Sequence, residues 1–151
     1  MAFRFRLERL LRLRQRELEL AESSFSRALE ILRYWDRRRA AVEEERRRIE
    51  TACADAMLRG IPAEDYLIMV DRIHFLEEAC AHAETEIVRS KDEVEAARLA
   101  LVERKRSAQV VERLMAREQV RYEHEERERM QREADEFAII RHVSKRRQRR
   151  S

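Results

Sequence analysis

The chain has 151 residues, of which 43% are charged, and it contains one Gly and one Pro. A domain with many loops needs Gly and Pro to turn the chain, so this composition argues against an ordinary globular fold. Because 44% of the residues are hydrophobic, we expect an ordered protein of long helices if those residues recur with a helical period.

Targeting and membrane segments are not evident in the sequence. The segment from Met1 to Arg6 lacks the apolar stretch and cleavage site of a secretory signal. No run of about 18 apolar residues is present that could cross a membrane. We therefore expect a cytoplasmic protein with reduced cysteines.

Apolar residues recur at alternating steps of four and three along the first part of the chain. These positions, which we call the α1 seam, are Leu7, Leu11, Arg14, Leu18, Ala21, Phe25, Ala28, Leu32, Trp35, Arg39, Val42, Arg46, Ile49, Cys53 and Ala56. A repeat of about 3.5 residues keeps one narrow stripe facing a partner helix and is typical of a coiled coil. It predicts a first helix over about residues 3–58.

A turn is predicted at about residues 59–63. Gly60 can adopt the left-handed conformation that ends a helix, and Pro62 suits the first turn of the next one. Glu64 and Asp65 place negative charge at the positive end of that second helix. These features predict that the chain reverses direction here.

The second helix, predicted over about residues 64–143, repeats the same period. Its α2 seam consists of Tyr66, Met69, Ile73, Leu76, Cys80, Ala83, Ile87, Ser90, Val94, Ala97, Leu101, Arg104, Ala108, Val111, Met115, Glu118 and Tyr122. If the turn sets Ala56 opposite Tyr66, then Trp35 faces Ile87 and Leu7 faces Met115. In this register Cys53 and Cys80 lie roughly 16 Å apart along the helices, too far for a disulfide.

The sequence thus predicts an all-α protein, a long antiparallel two-helix coiled-coil hairpin forming one domain over residues 1–151. Residues after about Tyr122 have no partner on the first helix and form a projecting helix. Three Glu–Arg pairs four residues apart support it, namely Glu123–Arg127, Glu125–Arg129 and Glu128–Arg132. An apolar cluster near its end has nothing in the hairpin to cover it, which indicates an external partner. Its members are Ala134, Phe137, Ala138, Ile139, Ile140 and Val143. A basic tail follows at residues 144–151, which we expect to be solvated and disordered, or less readily to contact an acidic protein or nucleic acid.

Residues suited to catalysis or to holding a cofactor are not found. A single glycine cannot build a phosphate-binding loop. The four histidines, His74, His82, His124 and His142, include no pair three or four residues apart that would suit zinc. Cys53 and Cys80 are interpreted as core residues rather than nucleophiles. We therefore predict no catalytic residue, no metal site, no cofactor, no small-molecule substrate and no enzymatic activity.

Arginines occupy several seam positions and have two interpretations. Arg14, Arg39, Arg46 and Arg104 can lay their stems along the seam with the charged heads in water. Alternatively, they fix the register or contact a partner. The first interpretation is favoured.

The ends of the chain and the turn carry motifs that resemble those of a known family. Phe3-x-Phe-x-Leu-x-x-Leu-Leu-x-Leu-Arg opens the first helix, Gly60-Ile-Pro62 forms the turn, and Asp135-Glu-Phe-Ala138 lies near the C-terminus. In these motifs and in its length the chain resembles the FliJ family of bacterial flagellar export proteins. The resemblance implies a role in type III protein export, flagellum assembly and motility, at the inner-membrane export apparatus.

The resemblance also implies partners and contact residues. Family members insert the open end of the coiled coil into the export ATPase hexamer, promote its assembly and activity, contact the large cytoplasmic domain of the export gate protein, and escort export chaperones. The matching ATPase-binding positions here are Leu7, Leu10, Leu11, Arg14, Asp135, Glu136 and Phe137. For the gate contact, Leu76 and Ala79 match the family patch, whereas Arg72 and Ala83 depart from it. Leu76 is also a seam residue, so a purely structural role stays open for it.

Three other functions are alternatives to this one. The equivalent stalk protein of the injectisome would share the architecture, and the Asp-Glu-Phe-Ala motif favours the flagellar protein. A coiled coil that binds nucleic acid requires a helix running from its zipper into a basic region, whereas Gly60 and Pro62 fold this chain back. A scaffold without an ATPase partner is the remaining alternative.

Overall fold

Two long helices make up the protein, in a computed structural model that describes residues 3–150. Helix α1 spans Glu8–Arg59 and helix α2 spans Ala63–Arg150. The helices pack against each other, and no strand occurs in the described range. The predicted all-α class is therefore confirmed.

The turn between the helices depends on the single glycine. Gly60 has φ of 79°, and its N–H donates to the carbonyl oxygen of Met57 at 3.3 Å. A Cβ at this position would meet nothing within 4 Å, so only the left-handed backbone disfavours other residues there. Pro62 precedes the first helical residue, and its carbonyl accepts the N–H of Tyr66 at 3.2 Å. Glu64 and Asp65 lie in the first turn of α2, where the positive end of the helix dipole favours their negative charge.

Residues 17–104 form one compact unit, in which α1 and α2 run antiparallel on either side of the turn. Its best-buried cluster joins Val42 of α1 to Leu76 and Cys80 of α2, with Ile49 and Ala79 packed against it. Ion pairs flank this seam, since Arg72 contacts Glu45 and Arg104 contacts Glu17 at 3.3 Å. The unit is thus held by an apolar seam with charged edges.

Residues 3–16 and 105–150 form the second compact unit. Its core contains Phe5, Leu11 and Val111, and the partly buried side chains against it are those of Phe3, Leu7, Leu10 and Met115. The rings of Phe3 and Tyr122 lie 5.5 Å apart. The predicted proximity of Leu7 and Met115 is therefore found, and Tyr122 is near the end of the paired part of α2.

The predicted seams agree closely with the observed burial. Every α1 seam residue is buried or half-buried, and the same holds for the α2 seam except at Tyr66 and Arg104. Cys53 and Cys80 are both buried and free. The 3.5-residue period therefore identified the packed stripe of both helices.

The helix ends differ from the predicted ones. Helix α1 begins at Glu8 rather than near residue 3, because Phe3 and Phe5 pack against the cluster of Val111 and Tyr122 from a non-helical segment. Helix α2 continues through Arg150, so residues 144–150 of the predicted disordered tail are helical here. Residue 151 lies outside the described residues. Trp35 packs edge-on against His82, with ring centroids 5.4 Å apart. His82 precedes the predicted neighbour, Ile87, by about 7.5 Å along the helix.

Arg39 gives a testable case of a charged residue in the seam. Its Nε atom is buried and has no hydrogen-bond partner among residues 3–150. An unpaired buried donor costs free energy, so Arg39→Met should raise the free energy of unfolding by about 1 kcal/mol, measured by urea denaturation. Arg38→Met, at the exposed neighbouring position, is the control and should change it by less. A loss of stability in Arg39→Met would instead show that this arginine fixes the register.

Candidate functional site

The C-terminal part of α2 exposes a set of apolar side chains. Every residue from 127 to 150 is exposed. The large apolar ones, with their exposed fractions, are Met130 (63%), Phe137 (66%), Ile139 (63%), Ile140 (60%) and Val143 (45%). We call residues 127–150 the exposed segment. Its apolar side chains form a contact surface that the described chain leaves uncovered.

Ion pairs within α2 support this segment where packing does not. Arg132 pairs with Glu128 at 3.5 Å, as the sequence predicted. Arg129 pairs with Glu126 and Glu133 rather than with Glu125. Glu125 pairs with Arg121 instead, and Arg127 donates to the main-chain oxygen of Glu123. Each exposed pair contributes only a few tenths of a kcal/mol, but together they favour a helix that is formed before any partner binds.

The structure places the predicted ATPase-binding residues in two different settings. Leu7, Leu10 and Leu11 lie in or against the core around Val111, and Arg14 is half-buried. Asp135, Glu136 and Phe137 are exposed on the outer part of α2. Phe137 lies about 22 Å beyond Tyr122 along the helix axis, so the two groups are not brought into contact.

Phe3 and Phe5 belong to the N-terminal motif, and the apolar repeat does not predict them to be core residues. Phe5 is 7% exposed, and Phe3 contacts Tyr122. Two aromatic residues directly before a helix are the signal that could have identified them. The packing of Phe3 and Phe5 holds the start of the chain against α2. The exposed segment of α2 follows shortly after this contact.

Comparison with protein families gives one match that covers nearly the whole chain. A family model described as Flagellar FliJ protein matches residues 3–147. The chain belongs to the FliJ family. It is accordingly a protein associated with flagellar type III export. Neither the curated proteins nor the solved structures contain a match to it.

The predicted gate contact of this FliJ-family protein lies in the middle of α2. Leu76 is 2% exposed in the core with Val42, and Ala79 is half-buried against the same cluster. Of the departing positions, Ala83 is fully buried, whereas Arg72 is exposed and lies over the ring of Phe75 at 5.1 Å. A partner could therefore reach Arg72 and Phe75, while Leu76 is covered as long as the helices stay paired.

One thiol of the FliJ-family chain lies beside two carboxylates. Cys80 Sγ donates to Glu43 Oε1 at 3.7 Å, and potential ligand atoms of Glu43, Cys80 and Glu84 lie within 4.8 Å of one another. Burial raises the pKa of the Cys80 thiol, and the negative charges of Glu43 and Glu84 raise this pKa further. A raised pKa keeps the thiol protonated at neutral pH, which suits a core residue rather than a nucleophile.

Within residues 3–150 of this FliJ-family protein, neither helix is long and apolar enough to cross a membrane.

Proposed function

We propose that this protein is the stalk-like component of the flagellar export apparatus and that it binds inside the ring of the export ATPase. The binding part is the unit of residues 3–16 and 105–150. In this proposal the protein promotes ring assembly and ATP hydrolysis by contact and is itself a structural component without catalytic activity.

The exposure of Phe137 and its apolar neighbours carries the proposal. Phe137, Ile139 and Ile140 are each exposed by 60% or more on a formed helix. An apolar surface of this kind loses water contact when it enters a protein ring, which favours binding. Asp135 and Glu136 add charged groups beside it that can pair with basic residues of a partner.

The N-terminal residues have a supporting part in this proposal. Leu7, Leu10 and Leu11 pack against the core around Val111, so in this proposal they hold the start of α1 against the part of α2 that precedes the exposed segment. Arg14 is half-buried and already interacts within the chain. We expect these residues to act on ATPase binding mainly through the packing of this unit.

Links to the export gate and to export chaperones complete the proposal. The large cytoplasmic domain of the gate protein is the proposed partner of α2 near Ala79, with Leu76 positioning the helix from its buried side. Arg72 and Phe75 offer the accessible surface there. The flagellar description of the matching family favours this system over the injectisome.

ATP hydrolysis by the export ATPase of the same organism tests the proposal. Adding this protein should increase the rate, and light scattering after size exclusion should show a ring-sized complex with one copy of this chain. Bovine serum albumin at equal concentration controls for non-specific protection of the ATPase. Neither stimulation nor complex formation would contradict the proposal and leave the injectisome ATPase and nucleic acid as the partners to test.

A further inference from the structure

The distribution of charge along α2 changes at residue 137. Before this residue, acidic and basic side chains are mixed, and Arg129 pairs with both Glu126 and Glu133. From residue 137 to residue 150 the chain contains six Lys or Arg residues and no Asp or Glu. We call residues 137–150 the basic segment. Its basic residues have no acidic residue three or four positions away, so ion pairs between neighbouring turns do not neutralise them.

Apolar and basic side chains of the basic segment lie on different sides of the helix. With 3.6 residues per turn, three apolar side chains lie within about 120° of one another around the axis, those of Phe137, Ile140 and Val143. Three basic side chains lie within about 80° of one another, those of Arg141, Lys145 and Arg149. The centres of these two sides are about 140° apart, and all six side chains are exposed. The basic segment is therefore an amphipathic helix with a cationic polar side.

We propose that the basic segment binds the surface of a bilayer that contains anionic phospholipids, and that it lies in the headgroup layer without crossing the bilayer. The apolar side chains enter the boundary between headgroups and acyl chains, and the Lys and Arg side chains contact lipid phosphates. A basic amphipathic helix is typical of segments that bind a membrane surface. This contact needs no partner protein.

The apolar side favours a bilayer over a nucleic acid as the partner. Both carry dense negative charge and would attract the Lys and Arg residues. A nucleic acid backbone, however, offers no apolar layer that removes Phe137, Ile140 and Val143 from water. No Phe, Tyr or Trp is interleaved with the basic residues after Phe137 to stack on bases. An anionic bilayer is complementary to both sides of the helix.

The surroundings of the basic segment leave it accessible to a bilayer. Phe3 contacts α2 at Tyr122, about 22 Å before Phe137 along the helix axis. The basic segment can therefore meet a bilayer before Phe3 comes near it, if α2 approaches the surface at an angle. Helix α2 is formed through Arg150, so binding requires no folding step. Arg147 already has an interaction within the chain, and the argument rests on the other five basic residues.

This proposal does not rest on the ATPase-binding role. Because Phe137 belongs to both proposed contact surfaces, one copy cannot use it for a bilayer and for the ATPase at the same time. Anionic vesicles should therefore compete with the ATPase for this protein. The binding assay itself contains no ATPase, so its result is independent of the function proposed above.

Sedimentation of the full chain with vesicles measures the binding. Vesicles made of equal parts of phosphatidylglycerol and phosphatidylcholine should bind the protein at least about a hundredfold more tightly than vesicles of phosphatidylcholine alone. Each Lys or Arg near an anionic surface raises the partition coefficient by about fivefold, so several of them together give this ratio. Added salt should weaken the binding to the mixed vesicles, because it screens the charges.

Two variants separate the contributions of the two sides. A triple substitution on the basic side should weaken binding to the mixed vesicles about a hundredfold: Arg141→Gln, Lys145→Gln and Arg149→Gln. A double substitution on the apolar side, Ile140→Gln with Val143→Gln, should weaken it at least about tenfold, because the apolar contact is lost. Gln favours helix, so circular dichroism should show unchanged helicity in both variants.

A matched control removes the same amount of charge from the unit of residues 17–104. It carries Gln at three exposed arginines and should bind the mixed vesicles like the wild type: Arg33→Gln, Arg37→Gln and Arg38→Gln. Equal binding of the wild type to both kinds of vesicle, or unchanged binding of the basic-side variant, would overturn the proposal. A wild-type chain that stays in the supernatant at high lipid concentration would also overturn it. If that chain raises the fluorescence anisotropy of a labelled DNA duplex, the basic segment binds nucleic acid instead.

Discussion

Ending the chain after Tyr122 is expected to abolish stimulation of the export ATPase while leaving helix pairing almost unchanged. The deleted residues include the whole exposed segment, and the core residue Val111 and the contact between Phe3 and Tyr122 remain. Removing side chains that are not packed changes stability little. ATP hydrolysis with increasing amounts of the shortened chain, together with thermal unfolding, measures both effects.

A single substitution refines this prediction. Phe137→Ala should reduce stimulation strongly, because large apolar side chains at the centre of an interface dominate binding, often by 2 kcal/mol or about thirtyfold in affinity. Phe75→Ala is the matched control, since Phe75 is 55% exposed but lies in the other unit. Full stimulation by the shortened chain would mean that the exposed segment is not the ATPase contact.

The second large effect is expected at Leu76. Leu76→Ala should lower the free energy of unfolding by about 3 kcal/mol, because it removes a fully buried side chain and leaves a cavity in the cluster with Val42. Urea denaturation followed by circular dichroism gives the value. Phe75→Ala, one residue away and half exposed, should cost about 1 kcal/mol or less.

This comparison also bears on the proposed gate contact. If Leu76 positions the helix from inside, binding of the gate domain should weaken in Leu76→Ala only under conditions where the helices also loosen. Unchanged stability together with lost gate binding would show that Leu76 reaches the partner directly. That result would require α1 and α2 to separate near Val42.

The parts of the fold that follow from periodicity could be predicted from the sequence. A 3.5-residue apolar repeat determines which side of each helix is packed, and Gly60 with Pro62 determines where the chain reverses. The start of α1 could not be predicted in this way. Phe3 and Phe5 lie outside the repeat, and their burial depends on contact with Val111 and Tyr122, which are distant in sequence.

The sequence predicted the candidate site only through the lack of a partner on the first helix for residues after Tyr122. Its apolar residues, Phe137 among them, follow the last seam position that α1 can reach, so exposure could be inferred from the register. The ion pairs of Arg129 could not be inferred from the sequence. Several carboxylates lie within reach of Arg129 on one helix face, and small rotamer differences select among them. The sequence of this chain also does not identify the protein that covers Phe137, because that depends on the surface of the partner.

The single tight turn has a consequence for how the protein folds and opens. Near the turn, the contact between Arg72 and Glu45 closes a loop of 27 residues, whereas Arg104 and Glu17 close one of 87. The longer closure costs about 1 kcal/mol more in chain entropy. Pairing of α1 with α2 should therefore begin beside Gly60 and extend away from the turn. Amide hydrogen exchange should accordingly slow progressively toward the turn. Within residues 17–104, the parts of the two helices near Glu17 and Arg104 would be the last to pair and the first to fray.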